Sequence, residues 1–337
     1  MASSRNRKRV LVGLAVVAVA AVAVAVGIGT ADAGTRKPWA KRGHPSPSAT
    51  RSPSPSPSVT PSRTVSPSVS ASAASASATP APTTTAPSPS PTTAAAGTWA
   101  PPPANGAFDY QIGGPYTPPA GVTVVSRDRD ASPAAGVYSI CYVNAFQAQT
   151  EAASWWKTNH PDLLLHDKSG SLVIDDDWNE ILLDISTAAK RTALTTIVGG
   201  WMDGCASKGF KAVEPDNLDS WTRSGGLLTQ SQAVAYATSL AGYAHGKGLA
   251  IAQKNTAEFS TAQSKQAGFD FAIAEECADY DECQDYTATY GSHVIVIEYS
   301  QSGFTKACNG YGSSLSIVLR DVDVTARGSG SYVFKTC

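Results

Sequence analysis

Short motifs that mark several enzyme classes are missing from this chain of 337 residues. It has neither the Gly-x-Ser-x-Gly turn of the α/β-hydrolases nor a His-Glu-x-x-His zinc site. It also lacks a Gly-x-Gly-x-x-Gly phosphate loop, which argues against a dinucleotide fold. No Cys-x-x-Cys pair occurs and the histidines are scattered, so the sequence predicts neither a metal site nor a cofactor.

Acidic residues are almost absent from the first 104 positions, which hold ten Lys or Arg and a single acid, Asp32. The rest of the chain holds 16 basic and 26 acidic residues, a net charge of −10. Its basic residues form no cluster, which argues against a nucleic-acid partner. A domain of this charge would instead attract a polycation through its long-range field.

The N-terminus has the pattern of an export signal. Basic residues precede an apolar run over 10–29, and Ala31-Asp32-Ala33 fits the small-x-small rule for cleavage. Residues 1–33 are therefore predicted to be a signal peptide. Because the run is about 20 residues long, an uncleaved signal-anchor is the alternative. Either places the globular part outside the cytosol, as a secreted or a membrane-tethered protein.

Residues 34–104 consist mainly of Ser, Pro, Thr and Ala with scattered basic residues. Such a segment buries too little apolar surface to offset its chain entropy, so a disordered linker is predicted. Its positive charge suggests association with anionic polymer of a cell wall. Residues 105–337 are then one globular domain, expected to be a monomer and large enough to bury a sizeable core.

All six cysteines lie in the acidic part of the chain, and an even number in an exported protein favours disulfides. Fifteen pairings are possible in principle. Spacing favours Cys277–Cys283, which would close a short loop after a strand, and Cys308–Cys337, which would fix the C-terminus. The remaining pair is Cys141–Cys205. A metal site at positions 277 and 283 is the disfavoured alternative.

From Phe108 onward the pattern alternates between strands and helices, which favours parallel βαβ units closed into a (β/α)8 barrel. Eight strands are predicted, at 123–128, 137–144, 181–185, 210–216, 249–255, 269–276, 293–300 and 315–321. A further extended piece at 109–112 is expected to plug or edge the barrel. Only residues 129–136 separate the first two strands, so the first repeat is degenerate or miscounted. An open doubly wound sheet is the alternative.

Charged residues follow several of these strands, as in the active site of a barrel enzyme. Asp216, Glu275 and Glu298 end the fourth, sixth and seventh predicted strands and should meet at one rim. Two carboxylates facing each other across a pocket are the minimal equipment for cleaving a glycosidic bond. The structural alternative is that each carboxylate pairs with Lys254 or caps a helix.

Four further residues are candidate contacts for a sugar. Tyr142 and Tyr299 lie at strand ends and could stack on a pyranose ring. Asp184 is expected either to position the sugar or to bond to the backbone. Glu214 lies deeper than Asp216 on the same face, where a sugar contact and a buried pairing with a lysine are both open.

Several segments of the domain resemble glycoside hydrolase family 114, the endo-α-1,4-polygalactosaminidase family. The resemblance spans about residues 108–321, and the Glu-Pro-Asp-Asn and Glu-Glu-Cys pieces, in this order, are its specific part. The matching segments are Ile-Cys-Tyr-Val (140–143), Gly-Phe-Lys-Ala-Val-Glu-Pro-Asp-Asn-Leu-Asp (209–219), Ala-His-Gly-Lys-Gly-Leu-Ala-Ile-Ala-Gln-Lys-Asn (244–255), Phe-Asp-Phe-Ala-Ile-Ala-Glu-Glu-Cys (269–277) and Val-Ile-Glu-Tyr (296–299).

The resemblance implies a TIM barrel that cleaves α-1,4-linked galactosamine polymers. It also implies that Asp216 and Glu275 carry catalysis. By comparison with α-specific barrels that use strands four and six, Asp216 is assigned as nucleophile and Glu275 as acid/base of a retaining mechanism. Glu298 is the alternative acid/base.

The same resemblance implies substrate contacts from Lys254, Asn255, Asn217 and Tyr299.

The chain departs from the family pattern in two places. The loop at 144–151 lacks the family's arginine, and Phe-Asp-Tyr-Gln-Ile at 108–112 replaces the usual Trp-x-Trp-Gln-Leu. A glycosidase for another α-linked polymer and a non-catalytic polysaccharide-binding barrel are therefore the alternatives.

Overall fold

The computed structural model describes residues 98–337. The predicted signal segment and most of the predicted linker lie outside these described residues. Within 98–337, no helix has both the length and the apolar character needed to cross a membrane.

The described residues contain twelve strands and seven α-helices. The strands are β1 (Phe108–Tyr110), β2 (Val124–Asp128), β3 (Tyr138–Asn144), β4 (Gln147–Ala148), β5 (Ile174–Asp175), β6 (Glu180–Leu182), β7 (Ala212–Asp216), β8 (Ala250–Lys254), β9 (Phe271–Glu275), β10 (Val294–Glu298), β11 (Ser316–Arg320) and β12 (Phe334–Thr336). The α-helices are α1 (Ala153–Asn159), α2 (Ala188–Lys208), α3 (Ser220–Arg223), α4 (Gln230–Gly246), α5 (Thr261–Ala267), α6 (Cys283–Tyr290) and α7 (Gln301–Tyr311).

Eight of these strands form one parallel sheet in the order β1-β2-β3-β7-β8-β9-β10-β11. Strand β12 adds antiparallel to β11, and β1 lies beside β11, so the sheet is nearly closed. Five helices follow the later barrel strands and cover the outside. This arrangement confirms the predicted (β/α)8, or TIM-barrel, fold.

One predicted barrel strand is wrong. The apolar run at 181–185 contributes β6 to a separate antiparallel sheet of order β4-β6-β5, which we call the small sheet. The extended piece at 109–112 overlaps β1, the first strand of the barrel. An apolar run identifies a buried strand but not the sheet that the strand joins. Because β1 takes the place of the predicted strand at 181–185 in the count of eight, β7 is still the fourth barrel strand.

The first two crossovers of the barrel contain no helix. Residues 111–123 connect β1 to β2, and residues 129–137 connect β2 to β3. The crossover at 129–136, predicted to be degenerate or miscounted as the first repeat, is both: it lacks a helix, and it is the second crossover because β1 precedes β2. The first crossover is degenerate as well. The third connection is long instead, because it carries the small sheet, α1 and α2 before β7 begins.

The helices begin and end at residues suited to those positions. The side chain of Thr229 caps α4 and forms a capping box with Gln232, and Ser260 does the same for α5 with Gln263. Helix α2 ends at Gly209, whose φ of 96° is readily adopted only by glycine. The strand–helix alternation of the sequence predicts helices at 187–207 and 229–247. These local signals explain why both predictions lie within one residue of the observed boundaries.

The hydrophobic core has two layers, one inside the barrel and one between the barrel and its helices. Side chains alternate between these layers along each strand. On β10, Ile295 and Ile297 face the barrel interior, whereas Val294 and Val296 pack toward the helices. Because both faces are apolar, the alternation cannot be read from the sequence of this strand.

Three disulfides join the cysteines in the pairing that the spacing favours. Cys141–Cys205 links β3 to α2, Cys277–Cys283 closes the loop after β9, and Cys308–Cys337 ties the C-terminus to α7. The predicted pairing is confirmed.

Ionic contacts close the gap between β11 and β1. Arg320 on β11 lies 3.3 Å from Asp109 on β1, and both side chains are fully buried. The guanidinium also donates to the carbonyls of Val333 and Thr325, so its charge is well satisfied. A buried pair of this kind is costly to break, because one partner would be left uncompensated.

The first described residues lie at the end of the barrel where the strands begin. The indole ring of Trp99 stacks on His245 at a centroid distance of 4.0 Å and donates to Asp270, 3.0 Å away. Asp270 immediately precedes β9, and its other oxygen accepts from the backbone N–H of Ile251. The chain therefore enters the domain at the end opposite to the strand tips. The predicted boundary at residues 104 and 105 stays a prediction.

Candidate active site

Asp216, Lys254 and Glu275 are the last residues of three neighbouring barrel strands, β7, β8 and β9. Their inward positions bring the three charged groups together at the C-terminal mouth of the barrel. The ammonium of Lys254 lies 3.4 Å from Asp216 Oδ1 and 3.5 Å from Glu275 Oε2. The two carboxylates predicted to be catalytic therefore flank a single lysine.

The three side chains differ in their access to solvent. Asp216 is 19% exposed and Glu275 is 10% exposed, whereas Lys254 is 1% exposed. The carboxylates thus border the mouth of the barrel, and the ammonium lies beneath them. A ligand entering the mouth would meet the two acids before it met the lysine.

Lys254 belongs to a buried polar network. Its ammonium lies 2.8 Å from Glu214 Oε1 and 3.0 Å from the hydroxyl of Tyr110. The second oxygen of Glu214 accepts from Ser126, and Tyr110 also donates to Glu214. Burial opposes the charged form, but Asp216 and Glu214 raise the pKa of Lys254 well above its usual value. The lysine is therefore a stable cation below the two acids.

Glu214 and Lys254, both candidate substrate contacts, lie buried below the two acids, and their contact with a sugar stays a prediction. Glu214 is completely buried, and burial raises its pKa while Lys254 opposes that rise. The inward direction of both side chains follows from the strand period. Their depth does not, because it depends on contacts with residues of other strands, such as Tyr110.

Two tyrosines donate hydrogen bonds to the carboxylates. The hydroxyl of Tyr142 lies 2.7 Å from Asp216 Oδ2, and that of Tyr299 lies 2.6 Å from Glu275 Oε1. Burial raises the pKa of both tyrosines well above the usual value, so both stay protonated donors. The sequence predicted sugar contacts for these rings. In the structure each hydroxyl orients one acid, and contact of the rings with a sugar stays a prediction.

Two asparagines with left-handed backbone follow the strand tips. Asn217 and Asn255 have φ angles of 63° and 47°, a region that asparagine tolerates better than most residues. The backbone N–H of Asn217 donates to Asp216 Oδ1 at 2.8 Å. The amide of Asn255 donates to Glu275 Oε2 at 2.9 Å and accepts from the backbone of Glu275. Both asparagines therefore contact the acids directly.

The structure does not bring Glu298 to the acid pair. As the last residue of β10 it follows Val294 and Val296, which face the helices, so its side chain also points outward. Its Oε1 accepts from the backbone N–H of Ala278, and its carboxyl is fully buried against Gly303 of α7. Burial raises the pKa of Glu298 to about 8.

This burial predicts a pH-dependent stability. The folded protein binds the Glu298 proton more tightly than the unfolded chain, whose glutamates titrate near pH 4.3. The resulting stabilisation is complete below about pH 4.3 and is lost as the pH rises through about 8. Glu298→Gln should therefore gain a few kcal/mol over the wild type as the pH rises across this window.

Urea unfolding at a series of pH values would measure this difference. The exposed Glu151 offers a matched control, because Glu151→Gln removes the same charge from the surface. The control should follow the wild type at every pH. A free-energy difference between Glu298→Gln and the wild type that does not vary with pH would show that Glu298 is ionised in the fold.

Asp184 also lies apart from the acid pair. It precedes α2, where Lys190 lies 2.5 Å from its Oδ2 and the backbone N–H of Ser186 donates to its Oδ1. Of the two roles expected for Asp184, the bond to the backbone is the one present. Its partners hold the first turn of α2.

Several residues at the site escaped the sequence analysis. Tyr110 was missed because β1 was not assigned to the barrel, although Phe108 and Tyr110 alternate with Asp109 as a strand should. Glu180 was missed because it lies on the small sheet. Its Oε2 accepts from the amides of Asn144 at 2.7 Å and Asn217 at 3.3 Å. Among residues 98–337, no group of three or more His, Cys, Asp or Glu is placed to hold a metal ion.

Comparisons with known proteins place this chain in a family. The sequence profile of glycoside hydrolase family GH114 matches residues 88–337. No curated protein sequence matched the chain.

Two solved structures illustrate the structural similarity. The Ega3 protein of Aspergillus fumigatus, in complex with galactosamine, is 22% identical with a TM-score of 0.58, and the match covers 72% of this chain and 98% of that one. The glycoside hydrolase domain of PelA from Pseudomonas aeruginosa is 14% identical with a TM-score of 0.45, over 66% of this chain and 96% of that one. The likeness to Ega3 supports the barrel fold. Because the family profile matches most of the length of this chain, the chain belongs to glycoside hydrolase family GH114.

Proposed function

We propose that this protein is a secreted, endo-acting hydrolase that cleaves α-1,4-linked, galactosamine-containing polysaccharide with retention of configuration. The observation that carries the proposal is the pair Asp216 and Glu275, which flank Lys254 at the mouth of the barrel. The galactosamine bound to Ega3 supports an amino-sugar substrate. The net charge of −10 on residues 105–337 supports a polycationic one.

In the proposed mechanism Asp216 is the nucleophile and Glu275 the acid/base. A carboxylate oxygen of Asp216 attacks the anomeric carbon while the bond to the leaving oxygen breaks, and Glu275 protonates that oxygen. Water then attacks the anomeric carbon, Glu275 accepts the water proton, and the ester bond to Asp216 breaks. Each step balances without a cofactor.

The contacts of the two acids suit these roles. Tyr142 and the N–H of Asn217 hold the oxygens of Asp216, and Tyr299 and Asn255 hold those of Glu275. Fixed geometry of this kind lowers the entropic part of the barrier. Lys254 lies near both acids and keeps a positive charge at the base of the site.

The separation of the acids supports retention. Because one ammonium lies 3.4 Å from Asp216 Oδ1 and 3.5 Å from Glu275 Oε2, these oxygens are no more than about 7 Å apart. Retaining enzymes place their carboxyl groups about 5–5.5 Å apart, and inverting enzymes about 6.5–9.5 Å apart. The bound on these two oxygens includes the retaining separation.

Hydrolysis of defined polysaccharides tests the proposal. Partly deacetylated polygalactosamine should be shortened to oligomers of several lengths at early times, as read by mass spectrometry, with α-anomers formed first by NMR. Chitosan, a β-linked amino-sugar polymer, is the matched control and should stay intact. Binding of the polygalactosamine without shortening would favour a non-catalytic binding barrel. Cleavage only of another α-linked polymer would reassign the substrate.

We also infer that the chain is exported. Three disulfides within the domain favour an oxidising compartment, which agrees with the pattern of the first 33 residues. Cleavage after Ala33 would leave Gly34 as the first residue. N-terminal sequencing of the protein from culture medium would test this, and an intact N-terminus in the membrane fraction would favour the signal-anchor.

A further inference from the structure

Glu180 lies above the nucleophile on the small sheet, which follows β3 at the mouth of the barrel. It is almost fully buried, and its Oε2 receives two hydrogen bonds. The amide nitrogen of Asn144, the last residue of β3, lies 2.7 Å away, and that of Asn217 lies 3.3 Å away. A carboxyl of the inserted sheet thus bridges the tips of two barrel strands.

Asn217 is held from two sides. Arg223 of α3 donates to its Oδ1 at 3.2 Å, and because a guanidinium has only donors, the amide nitrogen must face Asn144 and Glu180. The backbone N–H of Asn217 donates to Asp216 Oδ1. The left-handed backbone that makes this contact is an uncommon conformation and persists only where its surroundings hold it.

We propose that Glu180 is a positioning residue of the active site, which holds the Asp216 carboxylate through Asn217 while it is itself a neutral acid. The proposal rests on the nucleophilic role of Asp216 given above. Loss of the Glu180 carboxyl would leave the amides of Asn144 and Asn217 without their shared acceptor. Asn217 would then be free to turn its backbone N–H away from Asp216.

The charges around Glu180 support the neutral form. Asp216 on β7, Asp175 on β5 and Glu151 after β4 are the acidic groups that face it, and burial raises its pKa to about 8. The neighbouring cation, Arg223, lies 2.5 Å from Asp175 and also pairs with Asp219.

The hydrogen bonds fix where the proton of this neutral acid must sit. Because Glu180 Oε2 accepts both amides, its proton must be on Oε1. A neutral Glu180 keeps a second negative charge away from Asp216, whereas an ionised one would repel it.

Two substitutions separate positioning by a neutral acid from other roles. Glu180→Ala should lower kcat by about 10²-fold, because misplacement of a reacting group by about 1 Å has an effect of that size. Its KM should change by less than about threefold, because the residue does not contact substrate. Glu180→Gln keeps a neutral acceptor and should retain kcat within about threefold of the wild type near pH 6.

The pH dependence adds a readout that a purely structural role would not change. The ratio of kcat for Glu180→Gln to kcat for the wild type should be constant near neutral pH and rise by more than about twofold above about pH 8, where only the wild type gains charge. Glu258→Gln, which removes an exposed carboxylate that is not among the acids facing Glu180, should show a constant ratio. Melting curves of all variants would confirm that each is folded.

Three results would overturn the inference: wild-type kcat in Glu180→Ala, a Glu180→Gln variant as slow as the alanine variant, or a constant ratio at all pH values. If Glu180→Ala does not fold, Glu180→Gln and its pH profile still decide. Failure of the proposed function would look different, because Asp216→Asn would then remain active whatever the Glu180 variants do.

Discussion

Asp216→Asn is expected to abolish hydrolysis of partly deacetylated polygalactosamine. The amide is a poor nucleophile, and removal of a nucleophile that works as a unit with its neighbours lowers kcat by about 10⁴-fold or more. The variant should still fold, because the amide oxygen can accept from the N–H of Asn217 and the amide nitrogen can donate to the hydroxyl of Tyr142. Lys254 also keeps Glu214 and Glu275. Initial rates of reducing-end release would measure the loss.

A matched control comes from the turn between β5 and β6. Asp176 is exposed, so Asp176→Asn makes the same chemical change on the surface. It should keep wild-type activity. Binding of the polymer by Asp216→Asn should also persist, since the shape of the mouth is unchanged. More than about a tenth of wild-type kcat in the folded Asp216→Asn variant would remove this residue from the mechanism.

Glu275→Ala is expected to lower kcat by about 10²–10⁴-fold, the usual contribution of a general acid/base. A small anion can enter the space that the side chain leaves and attack the glycosyl ester on Asp216 without needing a base. With an α-galactosaminyl fluoride as substrate, whose first step needs no acid because fluoride leaves readily, azide should therefore restore turnover and yield a glycosyl azide of α configuration. The product would be identified by NMR, and the rate followed as a function of azide concentration.

Glu275→Gln is the matched variant for this experiment. It also lacks the acid, but its amide fills the site and can keep the contacts with Tyr299 and Asn255. Azide should rescue it far less than the alanine variant. A β-configured azide would contradict the double displacement and would indicate inversion instead.

The convergence of the two acids at one mouth was predictable from the sequence for a physical reason. Strands buried on both faces are mostly apolar, so the charged ends of Ala212–Asp216 and Phe271–Glu275 stand out. Parallel strands place such ends on the same rim. The GH114 profile confirms the family resemblance, and the catalytic roles of the two acids stay a prediction.

The orientation of Glu298 could not be predicted in the same way. It ends a strand of the same type, but both faces of Val294–Glu298 are apolar, so the period of two gives no direction. Only packing against α7, where Gly303 leaves room for the carboxyl, decides that it points outward. The error at 181–185 has the same origin, since an apolar run can join either sheet.

The contacts that orient the acids could not be predicted from the sequence either. Asn217 and Asn255 each follow a charged strand tip, and their left-handed backbone is a preference of asparagine that the sequence could have suggested. That their amides and N–H groups face Asp216 and Glu275 depends on residues distant in the chain. Glu180 and Arg223 come from the small sheet and from α3, and no local pattern connects them to the nucleophile.

Covalent trapping of the intermediate tests the central claim most directly. With Glu275→Gln and an α-galactosaminyl fluoride, the first step needs no acid because fluoride leaves readily, and the second step is slow because the base is missing. Peptide mapping by mass spectrometry should find one galactosaminyl group on Asp216. An adduct on another carboxylate, or release of a β-configured product with no adduct at all, would contradict the account.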